Sequence, residues 1–133
     1  MSVYTLCNNV SAVQVLPIGT DTGTAPANLP AGSIASADFA PAGALNTSLP
    51  PSDISFQVIV RSTQSGANVS ATVQPLASND GIHWVGFMAA ITVATGASPN
   101  SGFGSSSVPY RFYSAYVQTI GGTSPRVDVL MFA

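Results

Sequence analysis

Lysine and glutamate, two strong helix formers, are missing from this chain, and glycine or proline interrupts almost every window in which a helix could run. That directs the fold to strands, and period-two alternation recurs along the sequence. In "ISFQVIV" Ile54, Phe56, Val58 and Val60 share one face and Ser55, Gln57 and Ile59 the other. "VSATVQPL" sets Val69, Ala71 and Val73 against Ser70, Thr72 and Gln74, and its Pro75 is expected at a sheet edge or bulge because it lacks an N–H. "YRFYSAYVQTI", from Tyr110 to Ile120, is the longest candidate, with Tyr113, Ala115 and Val117 opposed to Phe112, Ser114 and Tyr116 and with Gly121–Gly122 ending it. "RVDVLMF" alternates Val127, Val129 and Met131 with Arg126, Asp128 and Leu130 and reads as a closing strand. With "YTLCNNVSAVQVLPI" near the start and the apolar run "GFMAAITVAT", about seven or eight short strands predict an all-β antiparallel sandwich or jelly roll. The intervening "GASPNSGFGSSSVP" reads as a Gly/Ser loop that crosses between sheets or stays mobile.

The 133 residues suit one domain, residues 1–133, long enough to bury about two-thirds of the unfolded surface without disulfide or metal. Between Gly19 and Asp53 the texture shifts to Ala, Pro, Gly, Thr and Ser, punctuated by Pro26, Pro30, Pro41, Pro50 and Pro51. About 30 residues of weak structure are uncommon inside a compact domain. The stretch 19–53 is expected to be an extended N-terminal arm ordered on a neighbouring subunit; the alternative is a long loop carrying one short strand near "GSIASADF".

Charged residues make up only 6% of the chain, against roughly 25% in an ordinary soluble domain. Arg61, Arg111 and Arg126 face Asp21, Asp38, Asp53, Asp80 and Asp128, for a net charge of −2. So little like-charge repulsion favours association between copies. Three scattered arginines form no basic stripe for nucleic acid, and no run of about 20 apolar residues is continuous enough to span a membrane. The start "MSVYTLCNNV" has neither a basic segment nor a continuous apolar one, so synthesis in a cytosol is the expectation. The single Cys7 has no partner for a bridge or a zinc site and is expected to be a small buried hydrophobe.

Few stretches could carry chemistry. "SNDGIHWVGF" holds the chain's one histidine, His83, and one tryptophan, Trp84. Asn79, Asp80 and Gly81 suit a hairpin turn between "ATVQPLAS" and "IHWVGF", which places His83 and Trp84 on opposite faces. Trp84 is expected in the core with its indole N–H bonded to a carbonyl, the alternative being a platform for a sugar ring. Histidine catalysis needs a nucleophile, metal or carboxylate at contact distance, so His83 is expected at a surface or an interface. "TDTGTA" at Thr20 to Ala25 is similar to the aspartic-protease tripeptide, but Pro17, Gly19 and Thr20 break the apolar approach that such a site needs, and a turn is the simpler reading. A calcium site at Asn79 and Asp80 would have a single carboxylate and be weak. No enzyme activity and no cofactor are expected.

The "SNDGIHW" hairpin with its following apolar strand, the low-charge Ala/Ser/Thr/Gly texture, "VPYRFYSAYVQTIGG" and the short terminal strand together resemble the small β-structured virion proteins of tailed bacteriophages, which include capsid decoration or cement proteins and small tail components. The resemblance covers residues 54–133 best. It implies a homo-oligomer, dimer or trimer, made in the host cytoplasm and resident in the virion, bridging major capsid subunits to stabilise the head. Arg61, Arg111, Arg126 and His83 are then candidate interface residues. A carbohydrate- or receptor-binding sandwich module of a phage tail is the alternative.

Overall fold

A computed structural model of the chain describes residues 3–12, 34–35, 53–79, 84–107 and 110–132. Among these it contains nine strands: β1 Val3–Val10, β2 Ile34–Ala35, β3 Ile54–Ser62, β4 Asn68–Ser78, β5 Val85–Gly86, β6 Ile91–Ala97, β7 Asn100–Ser106, β8 Phe112–Gly122 and β9 Pro125–Phe132. They form two antiparallel sheets. The first runs β1-β9-β3-β7; the second runs β2-β8-β4-β5, with β6 also paired to β4. The expected all-β antiparallel sandwich is the fold.

Alternation explains the core. Ile54, Phe56, Val58 and Val60 of β3 and Val127, Val129 and Met131 of β9 point inward from the first sheet. Val69, Ala71 and Val73 of β4 and Tyr113, Ala115 and Val117 of β8 meet them from the second. Fully burying each large member is worth about 1.5–3 kcal/mol, and together they fix which face of each strand is inside. Phe87 closes one side of this core, its ring 6.0 Å from Phe56 and 5.7 Å from Tyr113.

Register shifts in β8 and β1 alter the alternation locally. Thr72 pairs with Thr119 but Val73 with Val117, so Gln118 is an extra residue that lets Ile120 return to the core side. In β1, Leu6 is the extra residue between the Thr5–Leu130 and Cys7–Val129 pairs, and neighbouring Leu6 and Cys7 are both buried.

Three turns that cross between sheets, β3–β4, β6–β7 and β8–β9, lie together at one end. Thr63 N–H donates to Ser124 O at 3.3 Å, Ser98 N–H to Ala67 O at 2.9 Å, and Thr123 N–H to Asn68 O at 3.3 Å. The β8–β9 turn depends on Gly122 at φ +104°, because a Cβ there would meet the Asn68 carbonyl and lie 2.8 Å from Val69 Cα.

Two expectations are corrected. The Gly/Ser segment expected to be a loop is strand β7, paired with β3 from Ile54–Ser106 to Val60–Asn100. Its glycines are what the sandwich requires: a Cβ on Gly104 would lie 2.8 Å from Met88 Cε and 2.9 Å from Ile91, and one on Gly102 would lie 3.2 Å from Ile91 and Val93. Missing side chains on the inner face let β6 pack close. Pro75 is also not at an edge, since β4 is flanked on both sides. β6 pairs with β4 only as far as Val73 and β5 begins at Leu76, so Pro75 falls in the interval between them, where its missing N–H leaves no ladder bond unmade.

Of the stretch 19–53, Ile34 and Ala35 pair with Tyr113 and Phe112 of the chain's own β8, and Asp53 precedes β3. The rest of that stretch lies outside the described residues, as do Asp21, Asp38, Asp80 and His83.

Candidate functional site

The outer face of the first sheet is the most distinctive surface among the described residues. Alternation that turns Val127, Val129 and Met131 inward turns Arg126, Asp128, Leu130 and Phe132 outward. Cross-strand register then sets out the rows. Val3, Phe132, Ser55 and Ser105 form one; Thr5, Leu130, Gln57 and Phe103 the next; Asp128, Ile59 and Ser101 the third; Arg126 and Arg61 the last. Phe103 is 72% exposed and Val3 57%, the two large exposed hydrophobics among the described residues, and they stand on opposite edge strands of this same face. Leu130, Phe132 and Ile59 lie half-buried between them. Apolar side chains on an exposed face, interspersed with serine, threonine and glutamine, suit a protein-contact surface.

The charges on this face are arranged along the strands. Asp128 accepts from the backbone N–H of Asn9 at 2.8 Å and is ion-paired with Arg61, whose guanidinium also donates to Asn9 Oδ1 at 3.2 Å. Asn9 takes φ +53°, which an asparagine tolerates, and so aims its N–H at the carboxylate. Arg126 lies directly across from Arg61 and donates to the Pro125 carbonyl at 2.8 Å. Both arginines therefore stand at the crossing-turn end, while Asp53 stands at the opposite end, before β3.

A surface cavity of about 630 Å³ opens at the Asp53 end, lined by Asp53, Ile54, Ser55, Ser105, Ser106, Ser107 and Phe132. It is continuous with the apolar face through Ser55, Ser105 and Phe132. One carboxylate and four serines can accept and donate hydrogen bonds there, but among the described residues no group of three or more His, Cys, Asp or Glu lies together.

Of the four sequence-derived interface candidates, the structure brings Arg61 and Arg126 together on this face. Arg111 is exposed just before β8, in the other sheet, and His83 lies outside the described residues. Composition signalled that some surface should be apolar, but not which. Phe103 was missed because its glycine neighbours made the segment look like a loop.

Trp84 is only 3% exposed and packs with Leu76, Tyr116 and Phe112 on the outer side of the second sheet, separate from the main core. Its ring offers no open face to stack a sugar. Among the described residues the expected indole-to-carbonyl bond is not made: Trp84 Nε1 and Ser114 Oγ are buried with no hydrogen-bond partner there. The β4–β5 pairing of Leu76 with Gly86 and Ala77 with Val85 brings the flanking arms of the Trp84 stretch together as a short hairpin, whose Asp80 and Gly81 lie outside the described residues.

Cys7 is 4% exposed and its thiol donates to Ala115 O at 3.6 Å, across the sandwich. Burial, with the nearby Asp128 carboxylate adding to it, pushes the thiol up to about 11. It is a packing group held in its unreactive protonated form. Comparison with protein-family models, curated proteins and solved structures finds no match to this chain.

Proposed function

We propose that this chain is a virion structural protein of a tailed bacteriophage, a cement or decoration subunit that associates with copies of itself and bridges major capsid subunits to stabilise the head. The observation that carries this reading is the outer face of the four-stranded sheet, where Val3, Phe103, Leu130, Phe132 and Ile59 gather on a chain with only 6% charged residues. Contacts made by apolar area and backbone hydrogen bonds are barely weakened by salt, which suits a particle that must hold across changing ionic strength. Each subunit acts mechanically, by occupying a joint between neighbours.

Quantitative mass spectrometry and cryo-electron microscopy of purified particles test it. The chain should be present in many copies at symmetry-related positions on the shell; its absence from particles would overturn the reading.

The alternative, a carbohydrate- or receptor-binding module, has its footing in the serine-lined cavity beside Phe132 and Asp53, since Trp84 is buried. Saturation-transfer NMR with a glycan panel separates the two, because the module reading requires signal that is lost on Asp53→Ala.

A further inference from the structure

Resting on that reading, we infer that the occupant of the outer face of the first sheet is a second copy of this chain, packed face to face and turned end for end. Two features of the face support this. Four strands spaced about 4.8 Å apart and about seven residues long cover on the order of 500 Å² per copy, roughly 1,000 Å² for a pair, the lower bound for a specific contact. The face is therefore large enough for a reversible dimer of modest affinity, and two sheets meeting this way repeat the packing inside the sandwich itself.

Charge sets the direction. Arg61 and Arg126 lie at the crossing-turn end and Asp53 at the other, beside the serine-lined cavity. Asp128 already neutralises Arg61, which among the described residues of this face leaves Arg126 as the cation to be matched. If crossing-turn ends met, the arginine pairs of both copies would be juxtaposed; if the second copy is reversed, its arginine end faces Asp53 and the cavity of the first. Like charges in contact across an interface are costly, so the reversed arrangement is favoured. β1, one of the sheet's two edge strands, is broken by its extra residues and Asn9, which discourages pairing along that edge.

Sedimentation-equilibrium analysis of the purified full chain decides it, with Phe103→Asp and Val3→Asp as face variants and Thr119→Asp, exposed on the second sheet, as the control. Phe103 and Val3 are exposed, so both variants should keep the wild-type circular dichroism spectrum. The expected result is a wild-type dimer, a self-association constant weakened about ten-fold or more by each face substitution, and no change for the control. Asp53→Arg should weaken the dimer and combining it with Arg126→Asp should recover it. A wild-type dimer untouched by both face variants would overturn this assignment while leaving the virion role intact. A wild-type chain that stays monomeric would overturn the inference too, whereas the virion role falls only if the chain is absent from particles.

Discussion

The backbone N–H of Asn9 donates to Oδ1 of Asp128 at 2.8 Å, and the same carboxylate is ion-paired with Arg61, so one side chain on β9 ties the edge strand β1 to the central strand β3. Asp128 is mostly shielded while Arg61 is about half exposed. Removing the carboxylate leaves the Asn9 backbone donor unmatched and Arg61 without its counter-ion; removing the arginine breaks a screened surface pair and an exposed bond to Asn9 Oδ1. Asp128→Ala should cost about 1–3 kcal/mol in urea denaturation and Arg61→Ala less than about 1 kcal/mol. Equal losses would show that the ion pair, rather than the tie to Asn9, dominates.

Gly122 and Gly66 both have positive φ but differ in their surroundings. A Cβ at Gly66, φ +75°, meets nothing within 4 Å, whereas one at Gly122 strikes the backbone of Asn68 and Val69. Gly66→Ala should cost about 1 kcal/mol from backbone strain alone. Gly122→Ala should cost clearly more, because the turn linking the sheets has to shift, and differential scanning calorimetry of the two variants gives the comparison.

At Trp84 the buried indole donor has no partner among the described residues. Replacing it by a ring without the N–H loses packing volume but also removes an unsatisfied polar group, so Trp84→Phe should cost less than about 1.5 kcal/mol. Trp84→Ala, which empties the site between Leu76 and Tyr116, should cost about 3–5 kcal/mol. Guanidinium melts followed by far-ultraviolet circular dichroism provide the readout.

Cys7 couples stability to alkaline pH. Its thiol rises from 9.0 to about 11 on folding, so the folded chain holds the proton over a window in which the unfolded chain has lost it. The stabilisation is complete below pH 9 and declines as pH climbs from 9 to 11, by about 2 to 3 kcal/mol. Cys7→Ala should flatten that part of the stability curve, as read from urea midpoints at successive pH values. In the native protein the thiol should resist iodoacetamide at pH 8 and react once the chain is unfolded.

Local pattern was sufficient for the strands whose two faces differ in polarity. Ile54 to Val60, Val69 to Val73 and Val127 to Met131 alternate in sequence and in burial alike, because a residue's side of a pleated strand depends on its own position alone. The absence of lysine and glutamate likewise announced a β-rich, charge-poor body from composition.

Only the tertiary structure decided which of those faces was left open, and why glycines occupy β7. Gly102 and Gly104 are explained by Met88, Ile91 and Val93 on the neighbouring sheet, and Pro75 by the interval between β5 and β6. Phe103 joins Leu130, Phe132 and Val3 because four strands distant in sequence align in register. Such proximity is a property of pairing between strands, and alternation within one strand carries no record of its neighbours.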